Sequence, residues 1–189
     1  HGWALDPAQE ITITAGATEA LFAAIHAIAR ADDEVVTLDP SYDSYGPAVV
    51  LAGARVVRVP LALPDFRIDY DRLAAAINAR TRLLIVNTPL NPAGAVLDAA
   101  DWERIADLLE PYDAFVLSDE VYEPLVYDGR RHAGVLSNAR LRPRAFAVFS
   151  FGKTCNATGW KVGYCVAAPS LTAELRKVHQ FLTFAVSTP

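Results

Sequence analysis

Short, β-branched apolar runs alternate with longer helix-patterned segments along the whole chain, and that alternation decides the fold class before any single motif is read. Strand-like runs occur at 11–14, 34–38, 55–59, 82–86, 114–118, 145–149 and 163–167. Helical patterns fall between most of them, at 17–30, 45–53, 69–79 and 98–110. A last helix is expected from Ser170, as N-cap, toward Phe184. Gly53 marks a helix stop, and Asp98 with Asp101 marks a helix start with an acidic first turn. Strands this short, separated by helices this long, imply βαβ units. The expected architecture is α/β: a three-layer α/β/α sandwich with a mostly parallel sheet and helices on both faces.

At 189 residues and 52% hydrophobic content, the chain suits one domain, 1–189, with a substantial core. The net charge of −5 gives no general electrostatic reason to expect nucleic acid or an anionic membrane as partner. No apolar run approaches the ~18 to 20 residues of a spanning helix. No signal-peptide pattern is visible. Cys155 and Cys165 make neither a disulfide framework nor a CxxC site, so a reducing, cytoplasmic location is expected. His1, His26, His132 and His179 lack metal-ligand spacing and are read as structural or surface residues, with no metal. The chain has no methionine, starts at His1 and stops at Ser187-Thr188-Pro189 after an apolar stretch. It is expected to be a piece of a longer polypeptide.

Polar residues gather just after the strands, at 16–18, Tyr42, 87–91, 119–122 and 150–153. Open α/β sheets bind ligands outside the carboxyl ends of their strands, so these clusters converge on one edge. Gly16-Ala17-Thr18-Glu19-Ala20 sits between a strand and a helix. It can act as a plain N-cap, or offer backbone N–H groups and the Thr18 hydroxyl to a phosphate. Asn87-Thr88-Pro89-Leu90-Asn91-Pro92-Ala93-Gly94 makes a stiff loop that either simply turns or aims Asn87 and Asn91. Ser118-Asp119-Glu120-Val121-Tyr122 ends an apolar strand with a carboxylate expected to be buried, which then needs a cationic partner such as a protonated pyridine nitrogen. Glu120 reads as a structural or solvent-facing residue. Tyr122 is placed to reach the same ligand as Asp119. Tyr42 can stack on a flat ring or sit at the core edge.

Ser150-Phe151-Gly152-Lys153-Thr154 sets a lysine and a hydroxyl beyond a buried strand, and Lys161 follows in Thr158-Gly159-Trp160-Lys161. A lysine at such a place is costly unless paired or used, and it suits a Schiff base with a carbonyl cofactor. Gly152-Lys153-Thr154 also ends the nucleotide P-loop pattern. That pattern requires glycine where Ala147 stands, and a helix where Cys155 to Gly159 is turn chemistry.

Taken together, Gly16-Ala-Thr-Glu-Ala, 87–94, 118–122, 150–154 and Thr158-Gly-Trp-Lys-Val-Gly-Tyr164 resemble the fold-type-I, class I/II aminotransferases in order and approximate spacing. Pro40-Ser-Tyr-Asp-Ser-Tyr45 and Thr158-Gly-Trp-Lys161 point to the branch of methionine aminotransferase-like and kynurenine–oxoglutarate aminotransferases. The resemblance implies pyridoxal 5′-phosphate as cofactor and amino-group exchange between an amino acid, methionine or aromatic, and a 2-oxo acid. It implies that Lys153 forms the Schiff base and shuttles a proton, that Asp119 pairs with the pyridine N–H⁺, and that Tyr122 and Asn91 hydrogen-bond the ring's phenolic oxygen. Tyr42 would stack on the ring and Asn87 would line the substrate side. Ala17, Thr18, Ser150 and Lys161 would hold the phosphate. Many members carry arginine at the position of Lys161; lysine keeps the charge without the bidentate fork. The resemblance further implies that this is the large cofactor-binding domain of a homodimeric enzyme, without an N-terminal segment and a smaller C-terminal domain. A cysteine-conjugate β-lyase and the aminotransferase-like sensing domain of a transcription regulator are the alternative functions.

Overall fold

The structure is a computed structural model that describes residues 4–186. His1 and the terminal Ser187-Thr188-Pro189 lie outside the described residues. In chain order the elements are α1 (Pro7–Glu10), β1 (Ile11–Thr14), α2 (Ala17–Ile28), β2 (Glu34–Asp39), α3 (Tyr45–Leu51), β3 (Arg55–Pro60), α4 (Tyr70–Ala76) and β4 (Thr81–Asn87). They continue with α5 (Ala99–Leu109), β5 (Phe115–Asp119), β6 (Ala145–Ser150), the single turn α6 (Phe151–Thr154), β7 (Gly163–Ala167) and α7 (Pro169–Leu182).

The strands form one sheet in the order β1-β7-β6-β5-β4-β2-β3. Pairing is parallel from β3 through β2, β4 and β5 to β6. β7 runs antiparallel to both of its neighbours, β6 and β1. The mostly parallel sheet expected from the sequence is therefore present, with one reversed strand.

Side chains on successive strand residues face opposite sides, and the burial follows that period of two. Val35, Leu83, Ile85, Leu117, Phe146 and Val148 pack with α2, α3 and α7 on one face. Val36, Leu84, Val86, Val116, Ala147 and Phe149 pack with α4 and α5 on the other. Trp102 of α5 is fully enclosed and donates its Nε1–H to the carbonyl of Ala133 at 2.7 Å. These two cores make the three layers.

The helix ends follow local chemistry. Asp98 and Asp101 exchange side-chain and backbone hydrogen bonds in a complete capping box at the start of α5. Asp69 accepts from the N–H of Arg72 and caps α4. Several boundaries differ from the sequence-based ones; α2, for one, ends at Ile28 rather than at residue 30, because Ala29 turns extended. α4 ends at Ala76 because Ile77 turns extended and the Asn78 amide is drawn to Glu34 Oε2 at 2.9 Å. α3 ends at Leu51, short of Gly53, whose φ of +83° suits glycine. α7 starts at Pro169 with Ala168 as N-cap and no side-chain cap; proline's fixed φ suits the first helical position and makes the expected Ser170 cap unnecessary.

The amino edge of the sheet is tied by Glu34. Its buried carboxylate meets Arg55 Nη2 at 2.6 Å and Arg80 Nη2 at 2.7 Å. The Asn78 amide first, then Arg55, holds its pKa down at about 2, from an ordinary 4.5. A carboxyl whose folded pKa is depressed stabilises the fold above its unfolded pKa and loses that contribution as pH falls toward the folded value. The thermal midpoint of the protein is therefore expected to drop between pH 4.5 and about 2 in part through Glu34. Glu34→Gln should lower the midpoint at neutral pH and flatten that segment of the acid profile; an unchanged profile would remove Glu34 as a contributor.

Candidate functional site

The site is built at the carboxyl edge, where the strand register lines up the polar clusters. Asn87 at the end of β4 pairs with Asp119 at the end of β5, which pairs with Val148 of β6. Gly163 opens β7 and lies opposite both Ser150 of β6 and Thr14 of β1.

Asp119 is the buried floor of the site, 3% exposed. Its Oδ2 accepts a hydrogen bond of 2.6 Å from the Tyr45 hydroxyl, and its Oδ1 one of 3.4 Å from the N–H of Val121. Burial pushes the Asp119 carboxyl up to about 6, while the Tyr45 and Val121 donors pull it back toward the ionised form. Burial and the Asp119 charge hold the Tyr45 phenol well above its ordinary pKa, so it stays a donor. Tyr42, three residues earlier, meets the Tyr45 ring edge-on at 5.8 Å.

Asn87 stitches the loop above. Its Nδ2 donates to the carbonyl of Asp119 at 2.8 Å, and its Oδ1 accepts from the N–H of Asn91, also at 2.8 Å. Ser150 caps the single turn α6, accepting from the N–H of Lys153 at 3.2 Å. Lys153 thus projects from a short capped turn, with its Nζ 5.5 Å from the centre of the Tyr122 ring.

The opposite end is a tight turn into α2. Gly16 has φ +80°, its N–H donates to the Thr14 carbonyl at 2.7 Å, and its own carbonyl accepts from the Thr14 hydroxyl at 3.0 Å. The first-turn N–H groups of Ala17 and Thr18 have no helical acceptor by construction. Gly163 passes so close to this turn that a Cβ on it would lie 2.7 Å from the Ala17 nitrogen and 2.8 Å from the Phe149 carbonyl. Only glycine lets β7 and the turn approach this closely. Lys161, in the left-handed region at φ 52°, brings its Nζ to 3.8 Å from where a Cβ on Gly16 would stand.

Between these ends lies a cavity of about 280 Å³. All ten residues singled out from the sequence line it: Ala17, Thr18, Tyr42, Asn87, Asn91, Asp119, Tyr122, Ser150, Lys153 and Lys161. Gly152 and Thr158 line it too, with the Thr158 hydroxyl donating to the Gly152 carbonyl at 3.3 Å. The sequence reading missed Tyr45 and Gly163. The sequence signal for Tyr45 is its spacing from Tyr42 in Pro40-Ser-Tyr-Asp-Ser-Tyr45, where the pattern predicts the helix start that is found. Glu120 is structural and fully buried, accepting from Ser118 Oγ at 2.8 Å and the N–H of Val135 at 2.9 Å, with His132 Nε2 at 2.6 Å. Among the described residues no His, Cys, Asp or Glu cluster is arranged to hold a metal.

The lining asks for a particular kind of guest. One end offers helix-turn N–H groups, a serine and a lysine to an anion. The other is a buried carboxylate that wants a cation. A primary amine stands between them. Pyridoxal 5′-phosphate, a flat ring with a phosphate on one side and a protonatable nitrogen on the other, fits this donor set.

Comparison with known proteins agrees. The family model described as aminotransferase class I and II matches residues 1–189. A methionine aminotransferase of Escherichia coli K12 is 52% identical over 189 residues, all of this chain and 49% of that protein. Kynurenine–oxoglutarate transaminase 1 of Mus musculus is 36% identical over 198 aligned positions, covering 99% of this chain and 47% of its own length. A crystal structure from Escherichia coli, assigned a methionine aminotransferase function, superimposes with a TM-score of 0.97 at 53% identity, covering 100% of this chain and 50% of that one. The chain spans about half the length of the curated relatives it matches.

The Tyr45 bond gives a direct test. In the ligand-free protein, a carbon NMR titration of the Asp119 carboxyl should give a midpoint near 6. Tyr45→Phe removes a donor that favours the ionised form, so the midpoint should rise. A midpoint that stays put or falls would mean that the hydroxyl does not hold the charge.

Proposed function

The chain belongs to the class I and II aminotransferases, and on that premise we propose that residues 1–189 are the large cofactor-binding domain of a pyridoxal-phosphate aminotransferase. It moves an amino group between an L-amino acid, methionine or aromatic, and a 2-oxo acid. The observation that carries this reading is the placement on one sheet edge of a buried carboxylate, an anion-binding turn and a lysine between them. The preference for methionine or an aromatic amino acid rests on the names of the relatives.

When bound, the cofactor supplies an electron sink for the pair released at the amino acid's Cα. The residues of this chain do the rest. Asp119, with the Tyr45 hydroxyl favouring its ionised form, would face the ring nitrogen and stabilise its proton. Ala17 and Thr18 amides, Ser150 and Lys161 would hold the phosphate. Tyr42 would stack against the ring, and Asn91 and Tyr122 would hydrogen-bond its phenolic oxygen. Asn87 fixes the loop on the substrate side. Lys153 Nζ would be the covalent attachment point for the cofactor and, once free, would serve as the base for the substrate's Cα proton.

The assembled enzyme is a homodimer in this reading. Phe181 and Phe184 are more than four-fifths exposed and Trp160 is largely exposed, which supports a covered face. The two free cysteines favour a reducing, cytoplasmic setting. No described helix is long and apolar enough to cross a membrane. The net charge of −5 supports the absence of nucleic acid as a partner.

Borohydride treatment of the cofactor-loaded intact protein, followed by peptide mass mapping, should place the label on Lys153. Lys153→Ala should lose the covalent label and cut turnover by about 10³-fold or more. Label spread over surface lysines, or turnover at the wild-type rate in Lys153→Ala, would sink the assignment. Pyruvate and ammonia as products from a cysteine conjugate would identify a β-lyase instead.

A further inference from the structure

Glu19 stands in the first turn of α2, beside the turn assigned above to a phosphate. A carboxylate so close to an anion seat would oppose binding if it faced the cavity. It does not line the cavity. Its side chain is turned behind the turn and is 10% exposed. One oxygen, Oε2, accepts from the N–H of Ala15 at 3.2 Å. The other, Oε1, lies 3.1 Å from Nδ1 of His179, which is 12% exposed and belongs to α7. The same His179 nitrogen is 3.3 Å from the Thr183 hydroxyl, at the end of that helix.

The Ala15 amide is the last one before Gly16. Fixing it fixes the peptide that enters the turn, while the Thr14 hydroxyl holds the Gly16 carbonyl from the other side. We propose that Glu19 and His179 are positioning residues for the phosphate cradle: Glu19 latches the Ala15–Gly16 turn from behind, and His179 carries the latch across to the C-terminal helix. Neither touches the cofactor. The proposal rests on the phosphate assignment made for Ala17 and Thr18.

The experiment compares two aldehydes on the intact protein, pyridoxal 5′-phosphate and pyridoxal, which lacks the phosphate. Equilibrium dissociation constants are read from the visible absorption of the bound form. Glu19→Ala should weaken pyridoxal 5′-phosphate by about tenfold, the scale of one lost hydrogen bond, and leave pyridoxal within about twofold. Glu19→Gln keeps an acceptor for the Ala15 N–H and should retain most of the affinity. His179→Leu leaves Glu19 in place and should give a smaller loss, about threefold, again confined to the phosphorylated aldehyde. Parallel loss of both aldehydes would mark a merely structural role, and no loss in Glu19→Ala would remove the latch; either overturns the proposal. An unchanged His179→Leu overturns the coupling to α7. A wild-type protein that binds the two aldehydes equally would overturn the phosphate assignment and the latch together, whereas discrimination by wild type with no change in Glu19→Ala would sink the latch alone.

Discussion

A carboxylate kept out of water at the end of the central strand is the constraint around which the site is arranged. β5 is the fourth strand of seven, so Asp119 ends in the middle of the sheet, with neighbours on both sides. Burial alone would favour its neutral form. The Tyr45 hydroxyl, the Val121 N–H and the opening of a cavity directly over it are what make an ionised Asp119 tenable. Asn87 holds the backbone of the same residue from the adjacent strand, so side chain and main chain of Asp119 are fixed separately. The Gly16–Thr18 turn, Lys153 and Tyr42 all line the same cavity as this one fixed carboxylate.

The reversal of β7 does the corresponding work at the other end. A parallel β7 would need a long crossover and would begin at the far edge of the sheet. Running antiparallel, it begins where β6 ends, and residues 151–162 need only turn back. That short return carries Lys153, Thr158 and Lys161, all on the cavity wall. Gly163 completes the arrangement, since its missing side chain lets the β7 start lie against the Gly16–Ala17 peptide. One reversed strand and one glycine therefore bring Lys153 and the Gly16–Thr18 turn onto the wall of a single pocket.

The sheet and ten lining residues were legible in the sequence because their signals are local. Strands such as 82–86 and 145–149 are short apolar runs between turn residues, and Gly16, Asn87, Asp119 and Ser150 each follow one. The residues that escaped act across distance. Tyr45 meets Asp119 over 74 positions of sequence, and Glu19 meets His179 over 160. Gly163 matters only because another strand's turn passes within contact of it. No window of sequence contains these relations; they exist only once the strand order is set. The helix ends show the same limit on a smaller scale, as Asn78 leaves a helical pattern to reach Glu34, 44 positions away.

Asp119 also links the fold to its guest energetically. Its folded pKa of about 6 lies above the ordinary 3.8, so the ionised form costs the fold stability as pH rises through that interval. Above pH 6 the full cost is present, on the order of 3 kcal/mol for a shift of that size. A cation placed against the carboxylate offsets it, because opposite charge favours the ionised form in the same buried setting. A neutral ring of the same shape would bury the charge further without relieving it. The buried carboxylate thus favours a cationic group on electrostatic grounds, and it does so from a residue that the sheet itself holds in place.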